Sequence, residues 1–182
     1  MAILPGLDWA ARYGSLCDCP VEPIVETWVE TDHPARLFQV VWAALPRDPL
    51  PRRSDLDPHA FPSLLKWCMI LEREGETPAG SGLPDFRIRL HGTAVAQMTH
   101  RDLTGFLLSE YCRGAALRSR QRAMLHAIRD AEPVFVRAAV TGCERARVEV
   151  MIGFFPFAGT DPGREQIVAV GAPSDRALRQ LL

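Results

Sequence analysis

Asp85–Phe86–Arg87–Ile88–Arg89–Leu90–His91 alternates without a break. Phe86, Ile88 and Leu90 fall on one side, and Arg87, Arg89 and His91 on the other. Successive side chains of an extended chain point to opposite faces. This period of two therefore predicts a half-buried strand of an antiparallel sheet. Working outward, residues 75–84 are rich in Gly and Pro and read as a loop. The apolar run at 67–72 before it reads as the preceding strand. Beyond His91, residues 93–114 are short irregular pieces that lead into a helix over 115–131. Three alternating or apolar segments follow, at 133–141, 145–155 and 165–171, separated by a turn at 142–144 and a polar loop at 159–164. A short helix over 174–181 ends the pattern. Two strands, a helical insertion, one long helix and a three-strand meander predict an α+β fold. They make a five-stranded antiparallel sheet with helices on one face.

Upstream, Leu37, Val40, Val41, Ala44 and Leu45 recur at helical spacing and predict a helix over 34–45 with that stripe buried. Asp32 or His33 precedes Pro34, which suits a first turn because its missing N–H would be unpaired there. Pro46 and Pro49 stop the helix. A short helix is expected over 58–65, where Asp55 or Asp57 is placed to cap it. Residues 1–33 are broken by Gly and Pro, yet Trp9, Tyr13 and Trp28 are too apolar for a free tail. They are expected to form an N-terminal helical extension that lies against the domain at 34–182 or against a partner subunit.

The formal net charge is −1, and Lys66 is the one lysine among 21 basic residues. A general nucleic-acid binder needs a basic excess to displace counterions, so nucleic acid is not an expected partner. The apolar stretches are too short to span a bilayer, and no secretory segment is read at the start. Cytoplasmic location and reduced thiols are therefore expected for Cys17, Cys19, Cys68, Cys112 and Cys143. The single residue between Cys17 and Cys19 is too few for zinc spacing.

Several stretches carry a family resemblance. Trp42–Ala43–Ala44–Leu45–Pro46–Arg47–Asp48–Pro49–Leu50–Pro51–Arg52–Arg53 resembles the entry of a bacterial single-domain PAS family (PAS_5). Ser54–Asp55–Leu56–Asp57–Pro58, followed by Phe61–Pro62–Ser63–Leu64–Leu65, looks like its D-x-D-P segment. Phe86–Arg87–Ile88–Arg89–Leu90–His91–Gly92–Thr93 is similar to its F-R-x-R-L-x-G-T strand, and Arg101–Asp102–Leu103–Thr104–Gly105 to its D-L-T-G turn. Val148–Glu149 and the apolar run after it match a late strand more loosely. The resemblance covers about 35–173 and leaves 1–33 outside. His100 stands where the family has Gly, and a left-handed turn residue would explain both, since His is enriched in that conformation. The resemblance implies a sensory or protein-docking domain of alphaproteobacterial signalling proteins. It implies no catalysis and names no ligand.

Each chemical candidate has a plainer alternative. Met69, Leu71, Phe86, Ile88, Leu90, Val95, Met98, Phe106, Met124, Val150 and Ile152 are candidate walls of an interior ligand pocket, or simply a closed core. Arg87 and Arg89, with Trp9 and Trp28, are candidate interface residues; the arginines could instead pair with Glu149 across the sheet. Asp55 and Asp57 suit capping better than metal or acid–base chemistry, having no third carboxylate near. His126 is the natural haem suspect, but helical periodicity turns it away from the apolar face. The cysteine motif of flavin-adduct PAS domains is absent. Haem, flavin and metal are therefore not expected, while an unknown small ligand is allowed. Arg118, Arg122 and Arg129 form one stripe on the long helix and read as a solvated face. Ser109, Tyr111, His100 and Asp102 are near in sequence but do not make a triad. The leading expectation is a PAS-like signalling module that binds a small organic ligand, a protein partner or both, working as a homodimer. A docking domain with a filled core is the alternative, and an enzyme with a cone-shaped α+β pocket is third.

Overall fold

The computed structural model describes residues 9–76, 82–141, 147–161 and 163–182. The strands are β1 (Val21–Ile24), β2 (Cys68–Glu76), β3 (Pro84–His91), β4 (Val134–Thr141), β5 (Arg147–Phe157) and β6 (Gln166–Pro173). The helices are α1 (Trp9–Arg12), α2 (Pro34–Ala43), α3 (Thr93–Met98), α4 (Leu108–Tyr111), α5 (Gly114–Asp130) and α6 (Arg176–Leu181). All strands join one antiparallel sheet in the order β1-β4-β5-β6-β2-β3. Five of them are the expected strands. The sixth, β1, comes from the N-terminal segment and pairs with β4 from Val21↔Ala138 to Ile24↔Phe135. The expected turn at 142–144 lies outside the described residues.

The helices are not confined to one face, which corrects that part of the expectation. On β5, Ile152 and Phe154 sit with Met124 of α5 around one internal space. Between them, Gly153 meets Ala35 of α2, and the Phe155 ring packs edge-on against Phe38 at 4.9 Å. Neighbouring residues of a strand point to opposite faces, so α5 covers one face and α2 the other. This explains why β6 is buried along its whole length, on both faces.

The buried face of α2 also differs from the expected stripe. Ala35, Phe38 and Trp42 are buried, whereas Leu37 is 44% and Val40 71% exposed. Aromatic rings bury more area than aliphatic side chains, and Phe38 and Trp42 share one face at i, i+4. Trp42 Nε1 also donates to the Pro156 carbonyl at 3.0 Å. His33 caps α2: Nδ1 accepts from the Ala35 N–H at 3.2 Å, and Nε2 lies 3.1 Å from the Ala172 carbonyl, to which it donates. Burial drives its pKa down to about 4. At the other end of the chain, buried Arg179 joins α6 to Glu30 and Asp32.

Candidate functional site

The interior is nearly full. Leu71, Phe86, Ile88, Val95, Met98, Met124, Val150 and Ile152 are buried, and Met69 is partly so. Met69, Leu71, Ile88, Met124 and Ile152 line a cavity of about 40 Å³. A site for a drug-sized ligand takes roughly 300–1,000 Å³. Phe106 is not an interior wall: it is half-buried and stacks edge-on against Tyr111 at 5.1 Å, with the Arg101 guanidinium over both rings.

Leu90 leaves the interior because the β2–β3 ladder carries a bulge. Ile70 opposes Leu90 and Leu71 opposes Ile88, so Arg89 is the extra residue. An extra residue reverses the facing of everything after it. Leu90 is 41% exposed as a result, and His91 turns inward with its side chain fully buried. The expected placement of these two is thereby exchanged. His91 Nδ1 accepts from the Leu103 N–H at 3.0 Å. That bond places the proton of the neutral ring on Nε2, which has no partner among the described residues. Burial lowers the His91 pKa, with the Asp102 carboxylate acting in the opposite direction.

Leu90 faces a groove of about 520 Å³ on the α2 side of the sheet. Leu90, Ile70 and Val168 form its apolar floor, and Leu56, Pro58, Phe61 and Leu65 its far wall. That wall is a run of three 3-10 turns, Arg53–Asp55, Pro58–Ala60 and Pro62–Trp67. Asp57 caps the middle turn, accepting from the His59 N–H at 2.9 Å. Gly92 closes one end. A Cβ there would lie 2.5–2.7 Å from the carbonyl oxygens of Leu65, Lys66 and Cys68, so only glycine fits. Arg53 and Lys66 are the charged side chains of the lining, and no carboxylate accompanies them.

The D-L-T-G stretch does different work. Asp102 accepts from the Thr104 N–H and hydroxyl at 2.9 and 2.7 Å, and these bonds lower its pKa. His100 just before it has φ 65° and Gly105 φ 90°, so the left-handed turn expected at His100 is present. The turn delivers Gly105 and Phe106 to edge strand β3, where they exchange backbone bonds with Ile88 at 2.7 and 2.9 Å. The exposed sheet edge is thereby covered.

A family model for the PAS domain matches residues 30–172. The chain belongs to the PAS domain family. No curated protein matches it. In this PAS domain, three of the stretches that carry the resemblance converge in space, the first through Arg53. Pro58, with Leu56 and Phe61 beside it, and Leu90, Gly92 and Thr93 of the strand motif all line the groove.

The remaining candidates divide plainly. Arg87 pairs with Glu74 at 2.5 Å and Arg89 with Glu72 at 2.7 Å. Neither meets Glu149, which pairs with Arg137 instead, at 3.2 Å. Glu72 also accepts from Arg164 and Gln166, and the Arg89 bond leads in holding its pKa down to about 2. The sheet-face arginines are thus internally neutralised. Trp9 is 1% exposed and packs on Tyr13, so it offers no interface. Trp28 is 62% exposed. His126 points outward and meets Asp130 at 2.7 Å. Arg118, Arg122 and Arg129 are exposed as expected, and Asp55 is exposed on its turn. Among the described residues no group of three or more His, Cys, Asp or Glu is placed to hold a metal ion.

Sequence reasoning missed three buried polar groups. Asp85 is 1% exposed and accepts from the Phe86 N–H, the Ser109 N–H and the Ser109 hydroxyl. Arg120 is 7% exposed and donates to the carbonyls of Leu16, Cys19 and Ala116. The thiols of Cys17 and Cys112 line one small cavity and interact there. Each joins residues far apart in sequence, so no local pattern announced it.

Proposed function

We propose that this PAS domain works by recognition rather than catalysis, docking a protein partner in the groove beneath Leu90. One observation carries the reading. The motif stretches build a groove with an apolar floor and a cationic rim, whereas the cavity under α5 has only about 40 Å³. An apolar segment with an acidic residue beside it is the complementary chemistry: the floor gains by removing apolar surface from water, and Arg53 and Lys66 meet the acid. The carboxylates of the motifs support recognition too, since Asp57 and Asp102 are engaged in holding turns. No helix among the described residues is long and apolar enough to cross a membrane, and signalling in the cytoplasm fits this reading. A photo-reactive residue at Leu65, exposed at the groove wall, tests it in cells. A cross-linked partner that disappears in Leu90→Glu is expected. Cross-links unaffected by Leu90→Glu, or none at all, would reject it.

The groove volume also favours a second occupant, a small amphipathic carboxylate, because about 520 Å³ lies within the usual ligand range. Native mass spectrometry and melting shifts against a carboxylate panel decide this: bare mass and no shift removes the reading. Homodimerisation is assigned to another surface, the exposed Leu37 and Val40 on α2 together with Trp28. Sedimentation is expected to give a dimer that Val40→Asp converts to monomer.

A further inference from the structure

The Cys17–Cys112 pair lies outside the docking groove and on the opposite face of the sheet. Cys17 sits on the Leu16–Asp18 turn of the N-terminal segment and is 8% exposed. Cys112 ends α4 and is fully buried. The two thiols, 95 positions apart in sequence, are brought to one cavity and interact there, which lowers the pKa of Cys17 and raises that of Cys112. Both line the interior cavity of about 40 Å³, beside Arg120, Thr99, Met69 and Met124. That volume holds one water or a molecule close to it in size.

Arg120 makes this site electropositive. Its guanidinium is buried, and every hydrogen bond described for it ends on a backbone carbonyl, two of them the carbonyls of Leu16 and Cys19 that flank Cys17. Carbonyls satisfy its donors and leave its charge in place. The Asp18 carboxylate, next to Cys17 but outside the cavity lining, acts against it, and a Cys17 thiolate would be an anion within the lining. Thiolates beside arginine are the nucleophilic and oxidisable form of cysteine. The interaction with Cys112, helped by Arg120, lowers the Cys17 pKa against burial and the Asp18 charge, while Cys112 is raised. Cys19 and Cys68 contrast with this. Burial raises both, Cys68 to about 12, and each thiol donates to a backbone carbonyl.

We propose that Cys17 and Cys112 are a hydroperoxide-oxidisable dithiol whose disulfide latches the N-terminal segment onto the PAS domain. The Cys17 thiolate attacks one oxygen of the hydroperoxide. The O–O bond breaks, the departing oxygen takes a proton and leaves as water or an alcohol, and Cys17 becomes a sulfenic acid. The Cys112 sulfur then attacks the Cys17 sulfur. The S–S bond forms, the S–O bond breaks, and the oxygen leaves as water with the Cys112 proton. Two thiols and one hydroperoxide give one disulfide, one water and one alcohol or second water. The cavity admits hydrogen peroxide and excludes bulky peroxides. The new bond ties a segment carrying β1 to the helical layer, so oxidation and the placement of that edge strand are coupled.

The test uses the full chain, reduced and then exposed to a slight excess of hydrogen peroxide. Alkylatable thiols are expected to fall from five to three. A non-reducing peptide map is expected to show Cys17 linked to Cys112 within one chain, with a higher urea midpoint than the reduced form. Cys19→Ser retains the link. Cys112→Ser stops at a Cys17 sulfenic acid that dimedone traps. Peroxide consumed with Cys17 and Cys112 still alkylatable would overturn the proposal. So would a link made through another cysteine or between chains. The wild-type map decides the matter even if a variant folds poorly.

Discussion

Ile88 and Leu90 stand two residues apart on one strand, and the sheet treats them oppositely: Ile88 is 0% and Leu90 41% exposed. Between them lies the bulge at Arg89. Ile88 joins the layer under α5, where packing has closed the space to about 40 Å³. Leu90 joins the opposite layer, where α2 covers only part of the sheet and the 3-10 turns stand off to leave the groove. One face is filled and the other is left partly open. The open face is where the sheet leaves a groove of about 520 Å³.

Mutations can break this contrast, and the largest effect belongs to the filled face. Ile88→Ala is expected to cost about 2–5 kcal/mol in urea unfolding, the range for truncating a fully buried aliphatic side chain. A loss below about 1 kcal/mol would show that the inner layer relaxes and is not tightly packed. The open face has its own fastening, His33, which ties the start of α2 to β6. Its folded pKa of about 4 lies below the unfolded value near 6.5. The unfolded chain therefore binds more protons between these values, and stability falls as pH drops from about 6.5 toward 4. The loss at pH 4 is about 3 kcal/mol from this group. His33→Asn keeps a capping side chain and is expected to flatten most of the slope. A shallower slope of the same sign remains from His91, whose pKa burial also lowers.

Asp85 comes next. Asp85→Ala leaves the N–H groups of Phe86 and Ser109 and the Ser109 hydroxyl without their acceptor, at about 1–3 kcal/mol, readable as a fall in the denaturation midpoint. Arg87→Ala removes a partly exposed ion pair with Glu74 and is expected to cost under about 1 kcal/mol. The smallest stability effect is expected at Leu90→Ala, within about 0.5 kcal/mol, even though the same strand position would dominate groove binding. Equal losses for Ile88→Ala and Leu90→Ala would erase the distinction between the two faces.

Much of the fold was legible in the sequence because its signals are local. The five core strands and the long helix follow from period, a cap at Asp55 or Asp57 from short-range backbone chemistry, and the left-handed turn at His100 from the resemblance. The motif stretches from Trp42 through Gly105 carried the family. The failures share a cause. Strict alternation predicted Leu90 inside, but a bulge is a property of two strands in register, and β2 was not visible from β3. The aliphatic stripe of α2 competed with Ala35, Phe38 and Trp42. The winner was set by what waited on β5, where Gly153 admits Ala35 and Phe155 meets Phe38. Trp9, read as too apolar for a free tail, is buried, and that burial removed it from the candidate interface.

By itself the sequence determined the order of elements, the caps and turns, and membership of the PAS domain family, all of which depend on residues a few positions apart. Only the tertiary structure decided which face each side chain serves. It set the bulge that sends Leu90 out and His91 in, the sixth strand paired at the β4 edge, and the contact of Cys17 with Cys112. These are settled by packing between segments distant in sequence, where burial and register are optimised together and no local period records the result.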